Sequence, residues 1–219
     1  MCGRLALFSD AQGVASHFGL AGAVAFPPRW NQAPRQPLAV VRADAAGDGR
    51  ELRLLEWGLQ PPWAKPDRPG PRPINARLEG VAERPLFRAA WRRRRCLVPA
   101  DGWYEWQAEA GGRQPWFCAA EDAGLLALGG LWERWQGADG SVLESVAIVT
   151  RPATAALAWL HQRMPLLLDP DDYAAWLDPR HHVDPDALGQ RRAATLTSRR
   201  VSRRVNDPRH EGPELLATA

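Results

Sequence analysis

The sequence has few cysteines, a single lysine and no long apolar run, and these shortages exclude whole classes of protein. Its 219 residues include three cysteines, too few and too scattered for a disulfide framework. No apolar run approaches the roughly 20 residues that a membrane-spanning helix needs. The N-terminus also lacks the basic and apolar segments of a signal peptide. We therefore expect a cytoplasmic protein with no membrane partner.

Several motifs of cofactor and metal chemistry are also absent. The sequence contains no P-loop, no dinucleotide-binding glycine pattern and no G-x-S-x-G nucleophile elbow. It contains no C-x-x-C or H-E-x-x-H spacing, although the neighbouring His181 and His182 leave a metal site open. We expect an activity that needs neither a cofactor nor a metal.

The basic residues are almost all arginine. The formal net charge is +3, and Lys65 is the single lysine among 28 basic residues. Arginines cluster at 92–95, 191–192 and 198–204, and the chain carries eleven tryptophans. Arginine binds phosphates with two donors, and tryptophan stacks on unpaired bases. A GC-rich genome gives the same arginine bias, so this composition permits nucleic-acid binding without specifying it.

The pattern of apolar and turn residues predicts strands in the middle of the chain and helices towards its ends. Residues 37–59 read as two strands joined by a Gly/Asp turn. The stretch 61–73 holds six prolines and predicts a stiff loop. The segments CLVPADGWYEWQAE, QPWFCAAE, GLLALGGLWERW and VLESVAIVT read as successive strands.

Helices are predicted at several places around these strands. A short helix is expected over 9–18 with Ser9 as its N-cap. A second, broken at Pro85, is expected to end near Arg94, and residues 152–164 show helical spacing. Two Asp-Pro pairs, at 169–170 and 184–185, predict the starts of two further helices.

These elements predict an α+β fold in one domain over 1–219. No βαβ alternation appears, so we expect an antiparallel, barrel-like β-sheet core with peripheral helices. Residues 207–219 are expected to form a C-terminal tail.

The cysteine behind the initiator methionine is the first candidate for chemistry. If Met1 is removed, Cys2 carries a free α-amine close to its thiol, a 1,2-aminothiol that no internal cysteine provides. Taken alone, Cys2 is more simply an accident of composition.

Other candidate residues are also ambiguous when each is taken alone. In a strand, Glu105 shares a face with Trp103 and Gln107, so it is either a solvated rim residue or a proton-shuttling carboxyl held among aromatics. His161 could cap a helix or sit on the surface, and Asn75 could be a turn residue. Arg77 and Glu79 could form no more than a local ion pair.

Seven short motifs together resemble the SOS response-associated peptidase (SRAP) family. They are MCGR at 1–4, WNQAP at 30–34, EWGLQPPW at 56–63, INARLE at 74–79, RRCLVPADGWYEW at 94–106, LHQRMP at 160–165 and VSRRVN at 201–206. Each motif alone is weak evidence for the family, but all seven occur in the family's order and spacing and together extend over nearly the whole chain.

The resemblance implies a covalent thiazolidine crosslink between the mature N-terminal cysteine and the ring-opened aldehyde of an abasic site in single-stranded DNA. Cys2 would be the nucleophile, Asn75 would position the opened sugar and polarise its oxygen, and Glu105 would be the acid/base. His161 would assist sugar ring opening and reversal. The residues implied to contact DNA are Arg4 and Arg77, which would hold phosphates, and Trp63, Trp106, Thr150 and Arg163, which would line the path of the strand.

Two positions depart from the family pattern. Gln162 stands where an acidic residue is common, and Trp30 stands where tyrosine is frequent, but neither change removes a catalytic group. We expect a monomer, since one domain that acts on a DNA strand needs no partner. We also expect no cofactor and a cytoplasmic protein that is at the nucleoid when bound to DNA. The resemblance also leaves a lyase activity open.

Two other functions stay open. A terminal thiol with a nearby base could act as an autopeptidase or N-terminal-nucleophile peptidase. Arginine and tryptophan could instead make a non-catalytic binder of single strands.

Overall fold

The computed structural model describes residues 2–47, 49–65, 70–190 and 195–218. Residues 66–69 of the proline-rich loop, and the arginines at 191 and 192, lie outside the described residues. None of the helices in the described ranges is long and apolar enough to cross a membrane.

Strands account for most of the regular structure. Numbered in chain order, the strands within these ranges are β1 (Leu5–Leu7), β2 (Arg29–Gln32), β3 (Pro37–Ala43), β4 (Arg50–Trp57), β5 (Asn75–Arg77), β6 (Arg95–Ala100), β7 (Gly102–Glu109), β8 (Gly112–Ala120), β9 (Leu126–Gln136), β10 (Val142–Pro152), β11 (Arg163–Pro165) and β12 (Leu196–Arg200). The α-helices are α1 (Ala11–Phe18), α2 (Arg88–Arg93), α3 (Tyr173–Leu177) and α4 (Pro185–Gln190). Short 3₁₀ helices cover Pro170–Asp172, Arg203–Asn206 and Pro213–Leu216.

Five strands close into a barrel. The order is β10-β4-β3-β6-β9, and β9 pairs back onto β10. Four of these pairings are antiparallel, as the sequence predicted, but β10 runs parallel to β4. The short strand β5 also pairs parallel with β10, and β11 pairs antiparallel with it. The α+β, barrel-like fold is therefore confirmed, with two parallel pairings that local sequence patterns do not reveal.

A second sheet has the order β12-β8-β7-β1-β2 and is antiparallel throughout. The segment expected as one strand, CLVPADGWYEWQAE, divides at Asp101 between the barrel (β6) and this sheet (β7). The Asp101 carboxylate accepts hydrogen bonds from the backbone N–H groups of Phe8 and Ser9 and from the Ser9 hydroxyl. The chain thus passes from one sheet to the other at a residue that also fixes the end of β1.

Alternate residues of the barrel strands enter two different apolar clusters. On β10, Ala147 and Val149 pack in a cluster that includes residues of all four α-helices. Val146 and Ile148 pack instead in a cluster that includes residues of the second sheet, which we call the shared core. This division follows from the two-residue period of a strand. The shared core also contains Cys2.

Several local expectations are confirmed and others are wrong. The hairpin over 37–59 forms as β3 and β4, and both Asp-Pro pairs precede helical turns. The first helix is capped by Asp10, whose carboxylate accepts from Gly13 N–H; Ser9 is instead bound to Asp101. The helix expected to end near Arg94 is confined to α2.

Residues 152–164 do not form a helix. They contain a turn and the start of β11, whose pairing with β10 outweighs their helical spacing.

The arginine cluster at 92–95 does not act as one surface patch. Arg95 is 4% exposed, and its guanidinium donates to the backbone carbonyls of Trp91, Trp176, Asp178 and, at 3.0 Å, His181. Burial lowers the pKa of Arg95. This side chain therefore ties β6 to the end of α3.

We expect Arg95→Met to lower the free energy of unfolding by roughly 2–4 kcal/mol, because several buried carbonyls lose their donor. The exposed Arg93 provides a matched control, and Arg93→Met should change stability by about 0.5 kcal/mol or less. Urea denaturation of both variants measures the difference. Equal stabilities for the two variants would contradict this structural role.

Candidate functional site

Cys2 lies in the shared core immediately before β1. Its side chain is fully buried, and β1 places it beside β7 through the pairing of Leu5 with Trp103. The carbonyl oxygen of Cys2 accepts a hydrogen bond of 2.8 Å from the amide nitrogen of Asn75. Cys2 is therefore held on both sides, by a strand and by a side chain.

The environment of Cys2 favours the protonated thiol. Burial raises the pKa of the Cys2 thiol well above its ordinary value, and the charge of Glu105 raises it further. Cys118 also faces this group, and burial with the Glu105 charge raises the pKa of Cys118 to about 12. A thiolate would form here only with a partner that takes its proton.

Glu105 is a buried carboxylate on β7. It is 5% exposed and pairs in register with Trp116 of β8. Trp103, two residues away, joins the shared core, whereas Tyr104 and Trp106 join a third cluster. Strand alternation thus predicted the face correctly, and the buried placement favours a carboxyl held among aromatics over a solvated rim residue.

Asn75 belongs to β5, opposite Ile148 in the parallel pairing with β10. Its amide nitrogen donates to the carbonyl oxygen of Cys2. Among the described residues, its buried side-chain oxygen has no hydrogen-bond partner. Asn75 therefore orients Cys2 and keeps an acceptor available for a further group.

His161, Arg163, Thr150 and Glu79 form one network. The backbone N–H of Arg163 donates to His161 Nδ1 at 2.9 Å. The Arg163 guanidinium binds both carboxylate oxygens of Glu79, at 2.6 and 2.9 Å, and the carbonyl of the buried Thr150. Glu79 thus pairs with Arg163, and among the described residues the local ion pair that Arg77 and Glu79 could have formed is absent.

Arg77 and Trp63 present their side chains to solvent. Arg77 lies on β5 opposite Thr150, on the same side of the strand as Asn75. Trp63 is 56% exposed in the turn after Gln60. Both side chains are accessible to a ligand.

Arg4 and Trp106 contact each other and also bind the 205–206 segment. The Arg4 guanidinium lies 5.7 Å from the centre of the Trp106 ring. It also donates to the Asn31 side chain and to the carbonyl of Val205. Trp106 donates to the side chain of Asn206. These contacts fix the 205–206 segment, so part of the hydrogen-bonding capacity of Arg4 is used within the protein.

Metal-ligating residues do not cluster in the described part of the chain, where no group of three or more His, Cys, Asp or Glu side chains could hold a metal. His181 and His182 line a cavity of about 220 Å³ with Asp172, Asp184 and apolar residues. That cavity contains none of the residues predicted for the site.

Two residues of the site region were missed from the sequence. Cys118 enters the site because β8 pairs it with Trp103. Asn31 accepts from Arg4 and donates to the carbonyls of Asp207 and His210. The alternation of QPWFCAAE could have indicated the face of Cys118, but only the register of β7 with β8 brings it to Glu105.

The arrangement supplies the groups for addition to a carbonyl compound. It combines a buried thiol, a carboxylate that influences that thiol, and an amide that holds the cysteine backbone. The exposed Arg77 lies two residues after Asn75 on β5. Such a site suits a substrate with an electrophilic carbon and an anionic or aromatic framework.

Comparisons with known proteins agree on one family. The model of the SOS response associated peptidase (SRAP) family matches residues 1–208. Abasic site processing protein YoqW of Bacillus subtilis (strain 168) is 34% identical over 224 residues, covering 99% of each chain. Abasic site processing protein HMCES of Xenopus tropicalis is 29% identical over 222 residues, covering 88% of this chain and 66% of that protein.

Solved structures share the fold. A protein from Bacteroides thetaiotaomicron superimposes with a TM-score of 0.86 over the full length of both chains at 20% identity. A protein from Bordetella bronchiseptica gives a TM-score of 0.79 at 25% identity, covering 92% of this chain and all of that chain.

We expect Glu105→Gln to lower the pKa of the Cys2 thiol, because the substitution removes a negative charge that disfavours the thiolate. The pKa should stay above the ordinary value, since burial is the larger cause. The ultraviolet absorbance of the thiolate, recorded against pH, measures this shift when a matched Cys2→Ser variant is subtracted. Glu79→Gln, which changes an exposed carboxylate, is the control. An unchanged pKa in Glu105→Gln would contradict the coupling.

Proposed function

Because the chain belongs to the SOS response associated peptidase (SRAP) family, we propose that it processes abasic sites in single-stranded DNA by forming a covalent crosslink through Cys2. The observation that carries this proposal is the buried grouping of Cys2, Asn75 and Glu105. Curated relatives that match nearly the whole chain are named abasic site processing proteins, which supports the same substrate class.

The proposed reaction uses both functional groups of an N-terminal cysteine. Removal of Met1 exposes the α-amine of Cys2, which adds to the aldehyde of the ring-opened abasic sugar and releases water as an imine forms. The sulfur then bonds to the imine carbon while the thiol proton is delivered to nitrogen. The product is a five-membered thiazolidine. Ring closure within one residue reaches effective molarities of roughly 10⁵–10⁸ M.

Glu105 is the proposed acid/base. The buried thiol stays protonated near neutral pH because its pKa is raised. Sulfur attack therefore needs a nearby group that takes the thiol proton and delivers it to nitrogen. The Glu105 carboxylate is the anionic group whose charge acts most strongly on this thiol, so it is well placed for that transfer.

Asn75 is the proposed positioning residue. Its amide nitrogen holds the carbonyl of Cys2, which fixes the amine and thiol relative to β5. Its side-chain oxygen can accept a hydrogen bond from a hydroxyl of the opened sugar. The side-chain nitrogen of Asn75 would thus orient Cys2, while its side-chain oxygen would orient the sugar.

His161 is proposed to assist opening of the sugar ring. Because His161 Nδ1 accepts from the Arg163 N–H, the neutral ring carries its proton on Nε2. An Nε2–H group can donate a hydrogen bond to the sugar ring oxygen and so stabilise the negative charge that develops there as the ring opens.

The path of the DNA is proposed to cross β5. Arg77 would hold a backbone phosphate and Trp63 would stack on a base, since both are exposed. Thr150 and Arg163 would line the strand beside His161. Arg4 and Trp106 would contact the DNA at the second sheet. The side chain of Asn31 accepts a hydrogen bond from Arg4 and so fixes the Arg4 guanidinium.

A thiol autopeptidase remains the second candidate, since the matching family is described as a peptidase. The same thiol and carboxylate could cleave the peptide bond that precedes Cys2. Cleavage of a peptide in trans without DNA would favour this function over crosslinking.

We expect an adduct that survives boiling when the protein is mixed with a single-stranded oligonucleotide carrying one abasic site. Its mass should equal protein without Met1 plus DNA minus one water. Cys2→Ser should form no stable adduct, since oxygen cannot replace the thiol in the thiazolidine. Denaturing gels show whether the adduct survives boiling, and intact mass spectrometry gives its mass. A stable adduct of Cys2→Ser, with the mass of that variant without Met1 plus DNA minus one water, would overturn the proposed chemistry.

We expect Arg77→Ala to weaken binding to all single-stranded sequences alike, because a phosphate contact carries no base information. The slope of log K against log salt should become shallower by about 0.7. Fluorescence anisotropy at several salt concentrations measures it, with Arg92→Ala on α2 as the control. A loss confined to one sequence would argue for a base contact instead.

A further inference from the structure

Arg35 occupies a backbone conformation that arginine rarely adopts. It follows Pro34 in a turn closed by a hydrogen bond from Gln36 N–H to the Ala33 carbonyl, and its φ is 75°. A turn with proline second and a positive φ third normally carries glycine or asparagine at the third position. Keeping arginine here costs about 1 kcal/mol or more.

The side chain of Arg35 lies against Gly58. A β-carbon added to Gly58 would be 2.6 Å from Arg35 Nη1, so the absence of a side chain at Gly58 makes room for this guanidinium. Within the described ranges, the Arg35 side chain makes no hydrogen bond or ion pair. Arg35 is exposed to solvent.

A second guanidinium converges on the same glycine. Arg72 donates to the Gly58 carbonyl through Nε and Nη2, at 3.2 and 3.1 Å, and pairs with Glu56 at 2.6 Å. Partial burial and the charge of Arg72 lower the pKa of Arg35. Among the described residues, these two positive groups share one nearby carboxylate, that of Glu56, so one positive charge has no counter-charge there.

Arg72 lies close along the chain to Asn75, whose amide nitrogen donates to the Cys2 carbonyl. Leu59 N–H donates to the Pro73 carbonyl and the Trp57 ring to the Ile74 carbonyl, so the segment after Arg72 runs alongside residues 57–59. Asn75, which holds Cys2, is three residues from Arg72. An extended chain of that length spans at most about 11 Å.

We propose that Arg35 and Arg72 bind a backbone phosphodiester of the single-stranded DNA that carries the reacting abasic site. This inference rests on the proposed function and adds a contact that precedes Asn75 along the chain, whereas Arg77 follows it. A phosphate monoanion supplies the missing counter-charge, and a pair of guanidinium groups matches its oxygens. The strained backbone of Arg35 is then explained by the ligand that its side chain reaches.

The test measures equilibrium binding to an oligonucleotide with a tetrahydrofuran abasic analogue, which has no aldehyde and cannot crosslink. Arg35→Gly removes the guanidinium and suits the positive φ. Arg72→Gln keeps an amide donor for the Gly58 carbonyl. Because both guanidinium groups are proposed to contact one phosphate, we expect each single variant and the double variant to reduce the slope of log K against log salt by about 0.7. Arg93→Gln on α2 is the matched control and should keep the wild-type slope.

A scan with single neutral methylphosphonate linkages locates the contact. Wild-type affinity should fall when the contacted phosphate is neutralised, and the double variant should be insensitive to that linkage alone. Thermal unfolding of Arg35→Gly should show an unchanged or higher midpoint, because glycine adopts this conformation without strain. A lower midpoint would indicate a structural role for Arg35 and overturn the proposal.

The outcomes separate this inference from the proposed function. Wild-type protein that crosslinks a true abasic site, with wild-type slopes in both arginine variants, would overturn the phosphate site alone. Wild-type protein that neither binds the analogue nor crosslinks would overturn both.

Discussion

The hydrogen bond from the Asn75 amide to the Cys2 carbonyl is the contact on which the candidate site depends. It joins the first residues of the chain to β5, which exists only because it pairs with β10 of the barrel. Pairing of β1 with β7 supplies the second constraint. Without either, an N-terminal residue would fray, as chain ends commonly do. The two sheets are therefore needed to hold one terminal cysteine in a buried position.

Burial has a chemical consequence as well as a structural one. Placing a thiol beside a carboxylate in an apolar core disfavours the thiolate of Cys2. A permanently ionised thiol is also prone to oxidation and to reaction with other electrophiles. A protonated Cys2 beside Glu105 suits a site in which proton transfer is coupled to substrate attack. The same desolvation that protects the thiol thus makes its reactivity depend on one neighbouring carboxylate.

The arginines show how burial assigns different roles to one residue type. Arg95 is enclosed and satisfies backbone carbonyls, whereas Arg163 is held by Glu79 and Thr150. Arg77 and Arg35 are exposed to solvent. Guanidinium groups suit all these settings because they keep their charge and offer several donors. Clusters of arginine in the sequence therefore do not mark a binding surface by themselves.

The sequence by itself determined the barrel-like α+β class, the hairpin of β3 and β4, and the face on which Glu105 lies, since turn chemistry and strand alternation are local properties. Its seven spaced motifs also indicated the family. Only the tertiary structure decided the parallel pairing of β5 with β10, the entry of Cys118 beside Glu105 and the pairing of Arg163 with Glu79. Each joins segments far apart in the chain, where strand register and competing partners set the contact and no local pattern records it.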